Sequence, residues 1–268
     1  MCCTAKYTEK TVNSPMFEQF TSIEIILIGL LFMWAGFVRS GLGFGGGALA
    51  LPLMLFLYDQ PLYWLPIIGT HLLFFSSMTL RTRLHNVDWS YLRRALTFIL
   101  PATLVGVFGL LNLPNQWLVI FVYSITLYYA ITWVLNWAIE SNNNWLDRLL
   151  LLTGGYVAGT SLTGAPLMVA VFMRHVSSEQ LRNTLFVLWF VIVTIKMSTF
   201  AALGVKLHFL AAISLIPVAG IGHFIGLKAH DLILQNNQSF KRVIGIVLAL
   251  ISILGLWRIL LPATVAVS

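Results

Sequence analysis

The chain has 268 residues, 59% of them hydrophobic and 9% charged, with a mean hydropathy of +0.88 and a formal net charge of +7. A soluble domain carries roughly 25% charged residues and cannot bury such a surplus of apolar side chains, so these values exclude a soluble enzyme or binding module and indicate an integral membrane protein. The basic balance does not indicate nucleic acid, because the Lys and Arg lie in loops between apolar runs, the pattern that orients a membrane protein against anionic lipid.

Residues 1–22 read as a polar N-terminal tail of mixed charge. It lacks the basic start, short apolar run and small-residue cleavage site of a secretory signal, so the first apolar segment is expected to serve as its own uncleaved signal. Cys2 and Cys3 are the chain's two cysteines. Neighbours in sequence do not take up disulfide geometry, and no further ligand at zinc-site spacing accompanies them, so they receive no role. Residues 25–58 are apolar but broken by Gly41-Leu-Gly-Phe-Gly-Gly-Gly47, and therefore predict a discontinuous helix. Plain spans follow at 64–80, 92–111 and 117–139. A second broken segment occupies 149–173, interrupted at Gly159-Thr-Ser-Leu-Thr-Gly-Ala-Pro166. Plain spans at 185–202, 207–227 and 243–261 complete the series.

The two breaks align as an internal repeat. Gly159 lies 118 residues after Gly41 and Gly164 the same distance after Gly46, while Pro52-Leu-Met is echoed by Pro166-Leu-Met with a small slip. Two spans further on, Pro101-Ala-Thr-Leu-Val-Gly106 is matched by Pro217-Val-Ala-Gly-Ile-Gly222 at an offset of 116. The expected fold is thus all-α and integral to the membrane, with a first repeat at 23–140 and a second at 141–268. Each repeat is one glycine-broken helix followed by three transmembrane helices. If the broken segments re-enter as hairpins, ten Lys and Arg fall on the cytoplasmic side and four outside; if each crosses once, the division is nine and five. The charge bias favours hairpins and termini outside, and three crossings between hairpins make the repeats inverted, the symmetry suited to alternating access.

None of the nine acidic residues lies in the centre of an apolar run. Bound cations and proton relays usually need carboxylates, so cation transport is disfavoured. What the apolar runs do hold is positive or protonatable: Arg39 beside the first break, Lys196 within its span, and His71, His208 and His223. A charge at the bilayer centre costs at least about 2.5–3.5 kcal/mol, which makes such residues functional candidates. Each has a plainer reading as well. Lys196 can snorkel or bind a carbonyl, and a histidine can hydrogen-bond between helices. At the breaks, helix limbs that begin inside the membrane expose backbone N–H groups at the positive end of the macrodipole, and glycine lets a ligand approach closely. Gly43, Gly45, Gly46 and Gly47 would supply such donors, joined by the hydroxyls of Thr160, Ser161 and Thr163 from the other half. Tight helix packing is the alternative explanation of the glycines.

The string from Gly41 to Gly47 continuing to Pro52-Leu, then Gly69-Thr-His-Leu and Leu84-His-Asn-Val-Asp-Trp89, resembles the sulfite exporter TauE/SafE family of membrane permeases. The second half resembles it too, in Gly159 to Pro166, Arg182-Asn-Thr-Leu-Phe186 and Phe240-Lys-Arg-Val-Ile-Gly245, although Ala165 and Pro166 replace the family's usual second glycine pair. The resemblance implies a permease of the cell (inner) membrane for small, often sulfur-containing anions such as sulfite, thiosulfate, sulfonates or sulfoacetate, moved outward, with protons as a candidate coupling ion. It also implies Gly41, Gly43, Gly45, Gly46, Pro52, Gly159, Gly164 and Pro166 as site-forming positions. Arg39, His71 and Lys196 enter from the residues alone, with His71 the proton partner if one exists. No cofactor or metal is expected. The competing readings are an assembly factor that transports nothing, a channel, and an intramembrane serine protease built on Ser161, which would need a base within hydrogen-bond reach.

Overall fold

A computed structural model describes residues 19–42, 46–81, 83–137, 139–235 and 237–261. The described residues form ten helices and no strands. The first half holds α1 (Ser22–Leu42), α2 (Gly46–Leu57), α3 (Pro61–Leu80), α4 (Trp89–Asn112) and α5 (Asn115–Val134). The second holds α6 (Asn144–Ser161), α7 (Ala165–His175), α8 (Ser178–Ala202), α9 (Phe209–Gln235) and α10 (Asn237–Leu260).

Local signals fix the helix starts. Thr21 and Glu24 make a capping box, the Thr21 N–H donating to Glu24 Oε2 at 2.7 Å and the Glu24 N–H to Thr21 Oγ1 at 3.3 Å. Asp88 caps α4 by accepting from the Tyr91 N–H at 2.9 Å, and Asn143 caps α6 by accepting from the Leu146 N–H at 2.7 Å. Pro61 opens α3, where its missing N–H costs nothing. The interruptions fall where glycine clusters interrupt the sequence: α1 stops at Leu42 and α2 resumes at Gly46, while α6 stops at Ser161 and α7 resumes at Ala165.

Both interruptions reverse the chain. Gly46 returns alongside Ala35 and Arg39, and the Phe20 ring before α1 lies 5.8 Å from the Tyr58 ring after α2. Likewise Gly164 returns alongside Gly154 and Ala158, and Asp147 in the first turn of α6 pairs with Arg174 at 2.9 Å and His175 at 2.7 Å, which end α7. Each broken segment is thus a helical hairpin with a closed mouth. The mouths lie at opposite ends of α4. At its start, Asp88 N–H donates to Thr184 Oγ1 at 3.0 Å and Tyr91 stacks on His175 at 4.8 Å. Past its end, Asn115 Nδ2 donates to the Asp59 carbonyl at 2.6 Å.

Among the described residues, six helices are long and apolar enough to cross a membrane: α1, α4, α5, α8, most of α9 and most of α10. This set differs from the six plain spans read from sequence. α1, one limb of a broken segment, belongs to it, and α3 does not. The reason lies in composition: α3, at 20 residues as long as α5, carries Thr70, His71, Ser76, Ser77 and Thr79, which lower its mean hydropathy. It packs with α8 and α9 at the centre, Gly69 lying against Met197 and Val193. The extensive outer pairs are α1 with α9, α4 with α6 and α5 with α10. Exchanging the halves turns the first pair into the second and returns the third to itself.

Glycines bring these helices together. A Cβ at Gly222 would fall on the Met33 carbonyl and one at Gly226 on the Phe37 carbonyl, so the four-residue spacing on α9 lets α1 lie against it. Gly155 and Gly159 do the same on α6, facing Ile99 and Thr103 of α4.

Candidate functional site

The two hairpin tips meet. A Cβ at Gly47 would lie 3.6 Å from Leu162 Cβ, and Leu162 belongs to the same buried cluster as Ala50, Leu51, Ile67 and Ile68. Leu162 turns the second hairpin in the left-handed region, φ 59°, a conformation a bulky residue holds only where its surroundings fix it.

At the first tip, Arg39 in the last turn of α1 is 6% exposed. Its guanidinium stands 4.2 Å from the Phe75 ring centroid and Nη1 donates to the His71 carbonyl at a long 3.4 Å. Nε and Nη2 are buried and have no hydrogen-bond partner among the described residues. A buried donor left unmade costs about 1–3 kcal/mol, more for a charged group. The last carbonyls of α1 are satisfied by other side chains: Arg182 Nη2 donates to the Ser40 carbonyl at 3.2 Å and His230 Nδ1 to the Gly41 carbonyl at 2.6 Å. Arg39 is therefore not needed as the helix cap.

At the second tip the cation is employed differently. Lys196 reaches from α8 and donates Nζ to the Gly159 carbonyl at 2.6 Å and the Thr160 carbonyl at 3.3 Å. A positive group on the terminal carbonyls of α6 meets both the orphan acceptors and the negative end of the helix dipole. This is the carbonyl partnership that the sequence offered as the plainer reading of Lys196.

The remaining predicted residues separate in the same way. His71 Nε2 donates to the Ala212 carbonyl at 2.6 Å, joining α3 to α9. Thr160 Oγ1 donates to Tyr156 and Val157 carbonyls, both at 3.1 Å; Ser161 Oγ donates to the Val157 carbonyl at 3.0 Å and shares a 2.6 Å hydrogen bond with Thr163 Oγ1. Among the described residues no histidine or other base hydrogen-bonds Ser161, so the geometry a serine nucleophile needs is not assembled. Gly159 serves α4–α6 packing, Gly164 the close turn onto Gly154, and Gly46 the close return onto Arg39. Pro52 lies inside α2 and Pro166 in the first turn of α7, on the wall of a cavity. Gly43 and Gly45 lie outside the described residues.

Ser40, which the sequence did not single out, and His223, named there as a protonatable candidate within an apolar run, join the site here. Ser40 Oγ hydrogen-bonds His223 Nδ1, and the His223 ring lies 4.9 Å from Phe75, the ring that also faces Arg39. His223 follows Gly222 on the glycine face that packs on α1, which brings it to Ser40. Among the described residues no cluster of three or more His, Cys, Asp or Glu could hold a metal ion. The one buried carboxylate found among them, Asp147, is at the mouth of the second hairpin, engaged with Arg174 and His175.

Neither the curated proteins nor the solved structures contain a match to this chain. The family model described as Sulfite exporter TauE/SafE matches residues 27–255, from within α1 to within α10. The chain is a multi-pass membrane transport protein and belongs to the sulfite exporter TauE/SafE family.

Proposed function

We propose that this permease carries small sulfur oxyanions, of the sulfite, thiosulfate or sulfonate class, across the cell membrane by alternating access at the meeting point of the two hairpin tips. Arg39 is the charge partner of the anion. The observation that carries this reading is the buried guanidinium whose Nε and Nη2 have no partner among the described residues, beside the first tip. A guanidinium presents parallel N–H donors that fit an oxyanion, and in a low-dielectric site such charge-assisted bonds are strong. Backbone donors at the start of α2, from Gly46 and Gly47, complete the cradle.

Both hairpins re-enter the membrane from opposite sides, and the halves are inverted. The contact of Phe20 with Tyr58, the pairing of Asp147 with Arg174 and His175, and the placing of the two mouths at opposite ends of α4 support this topology. Helix pairing that is preserved when the halves are exchanged supports it further. One half rocking against the other then exposes the site to each side in turn. His71 and His223, which flank Phe75, are the residues near the site able to couple the movement to protons.

Purified protein in vesicles tests the reading. Saturable uptake of sulfite or thiosulfate, lost in Arg39→Met, is the expected result; no flux of any anion through folded protein would favour the assembly role, and ohmic current would favour a channel.

A further inference from the structure

A cavity of about 470 Å³ runs beside the second hairpin. Its inner wall is one face of α7, formed by Pro166, Val169, Ala170, Met173 and Arg174 at helical spacing, so it extends from the hairpin tip to the hairpin mouth. Trp133 and Trp137 line the other side, from the end of α5 and just beyond it. At the mouth Lys241 of α10 faces it beside Arg174, whose side chain is held by Asp147 at 2.9 Å.

The corresponding place in the first half is filled. α2 packs directly against α5 and α10. Leu49 lies in a buried cluster with Ala130, Ile244 and Leu248, the Phe56 ring meets Tyr123 edge-on at 6.2 Å, and Arg258 Nη1 donates to the Phe56 carbonyl at 3.2 Å. Among the described residues α7 makes no comparable packing against α5 or α10. Two equivalent elements in different surroundings are what a protein of related halves displays when it is captured at one end of its cycle.

We infer that the α7 cavity is the passage joining the hairpin tips to the Arg174 and Lys241 end, and that this conformation is open along α7 and closed along α2. The inference rests on the carrier reading above and adds to it a route and a state. Glu140 and Ser141 line the mouth beside Lys241 and Arg174, so its charges balance and it is polar, while the α7 wall of Pro166, Val169, Ala170 and Met173 offers the anion no competing site, so the anion passes without being retained. The opposite state follows by exchange: α7 closes on α5 and α10, and α2 parts from them. By the positive-inside pattern the open end is cytoplasmic.

The test uses full-length protein with Cys2→Ser and Cys3→Ser, which leaves no cysteine, and single cysteines at Ala170, Val169 or Met173 on α7 and at Leu49 on α2. Three positions on α7 guard against one that fails to fold. Inside-out vesicles are treated with a membrane-impermeant maleimide, whose thioether survives later exposure to sulfite, and sulfite flux is measured before and after. The α7 cysteines should label at least tenfold faster than Leu49→Cys, should resist the reagent in right-side-out vesicles, and should lose at least tenfold in flux once labelled. Labelling by a lipid-soluble maleimide alone would make the cavity a lateral lipid crevice and overturn the inference. So would labelled protein that carries sulfite at its unlabelled rate, and in both cases the carrier reading survives. Absence of sulfite and thiosulfate flux in the unlabelled cysteine-free protein would overturn both.

Discussion

The two hairpin tips pose the same physical problem and solve it differently. Each brings the C-terminal end of a long helix into the interior of a membrane protein, where its last carbonyls need donors, and each has a buried cation nearby. At the second tip Lys196 spends its ammonium on the Gly159 and Thr160 carbonyls. At the first, Arg182 and His230 supply the donors, and Arg39 is left with Nε and Nη2 unpartnered among the described residues. Burial of a cation is thus not in itself a sign of binding. In the proposed reading, what marks Arg39 for binding is donor capacity that the fold does not use.

The largest effect should follow from Arg39→Met. Removing one member of a buried charge pair costs roughly 2–5 kcal/mol, so the affinity for sulfite in a titration should fall by about 30-fold or more. The ligand-free protein should unfold at or above the wild-type temperature, because replacing an unsatisfied buried ion by an apolar side chain is neutral or stabilising. Lys196→Met should do the reverse. It strips a charged donor from two carbonyls and should cost about 1.5–3 kcal/mol of stability per hydrogen bond lost to the charged group, read as a lower unfolding temperature, while the folded fraction still binds sulfite.

Gly159→Ala should follow with about 1–3 kcal/mol, since the added methyl falls on the Thr103 carbonyl and parts α4 from α6. Its effect belongs to stability and should appear in chemical or thermal unfolding with ligand affinity unchanged. The smallest change should come from His71→Gln, whose amide can still donate to the Ala212 carbonyl; stability should stay within about 1 kcal/mol. If His71 is the proton partner, its flux will lose dependence on the proton gradient. If only the hydrogen bond matters, that dependence will remain, and His223 becomes the histidine to substitute.

Much of the architecture was legible in the sequence because helix interruption has a local cause. Glycine clusters at Gly41–Gly47 and Gly159–Pro166 stop helices within a few residues of where the chain turns, and the offset between them exposes the repeat. α3 forms where the sequence placed its first plain span, and its polar residues Thr70, His71, Ser76, Ser77 and Thr79 make it the least apolar of the plain spans. For the candidate site, the sequence named residues but could not divide their roles. Whether Lys196 meets a carbonyl or a ligand depends on where α6 ends relative to α8, and whether Arg39 is free depends on Arg182 and His230 reaching α1 from 142 and 189 residues away. The same distance hid the bond between Ser40 and His223, 183 residues apart. Tight packing was raised only as the alternative reading of the break glycines; the packing roles of Gly155, Gly159, Gly222 and Gly226 were not anticipated, although their four-residue spacing was there to be read.

The central claim is that Arg39 binds and Lys196 holds the fold. Thermal unfolding of purified wild-type, Arg39→Met and Lys196→Met proteins, each with and without sulfite, addresses it directly, because a ligand at about 100 times its dissociation constant adds roughly 2.7 kcal/mol to the native state. The account predicts a sulfite-dependent rise in the wild type that disappears in Arg39→Met without loss of ligand-free stability, and a lowered baseline with the rise retained in Lys196→Met. A retained rise in Arg39→Met, or its loss in Lys196→Met at undiminished stability, would contradict it.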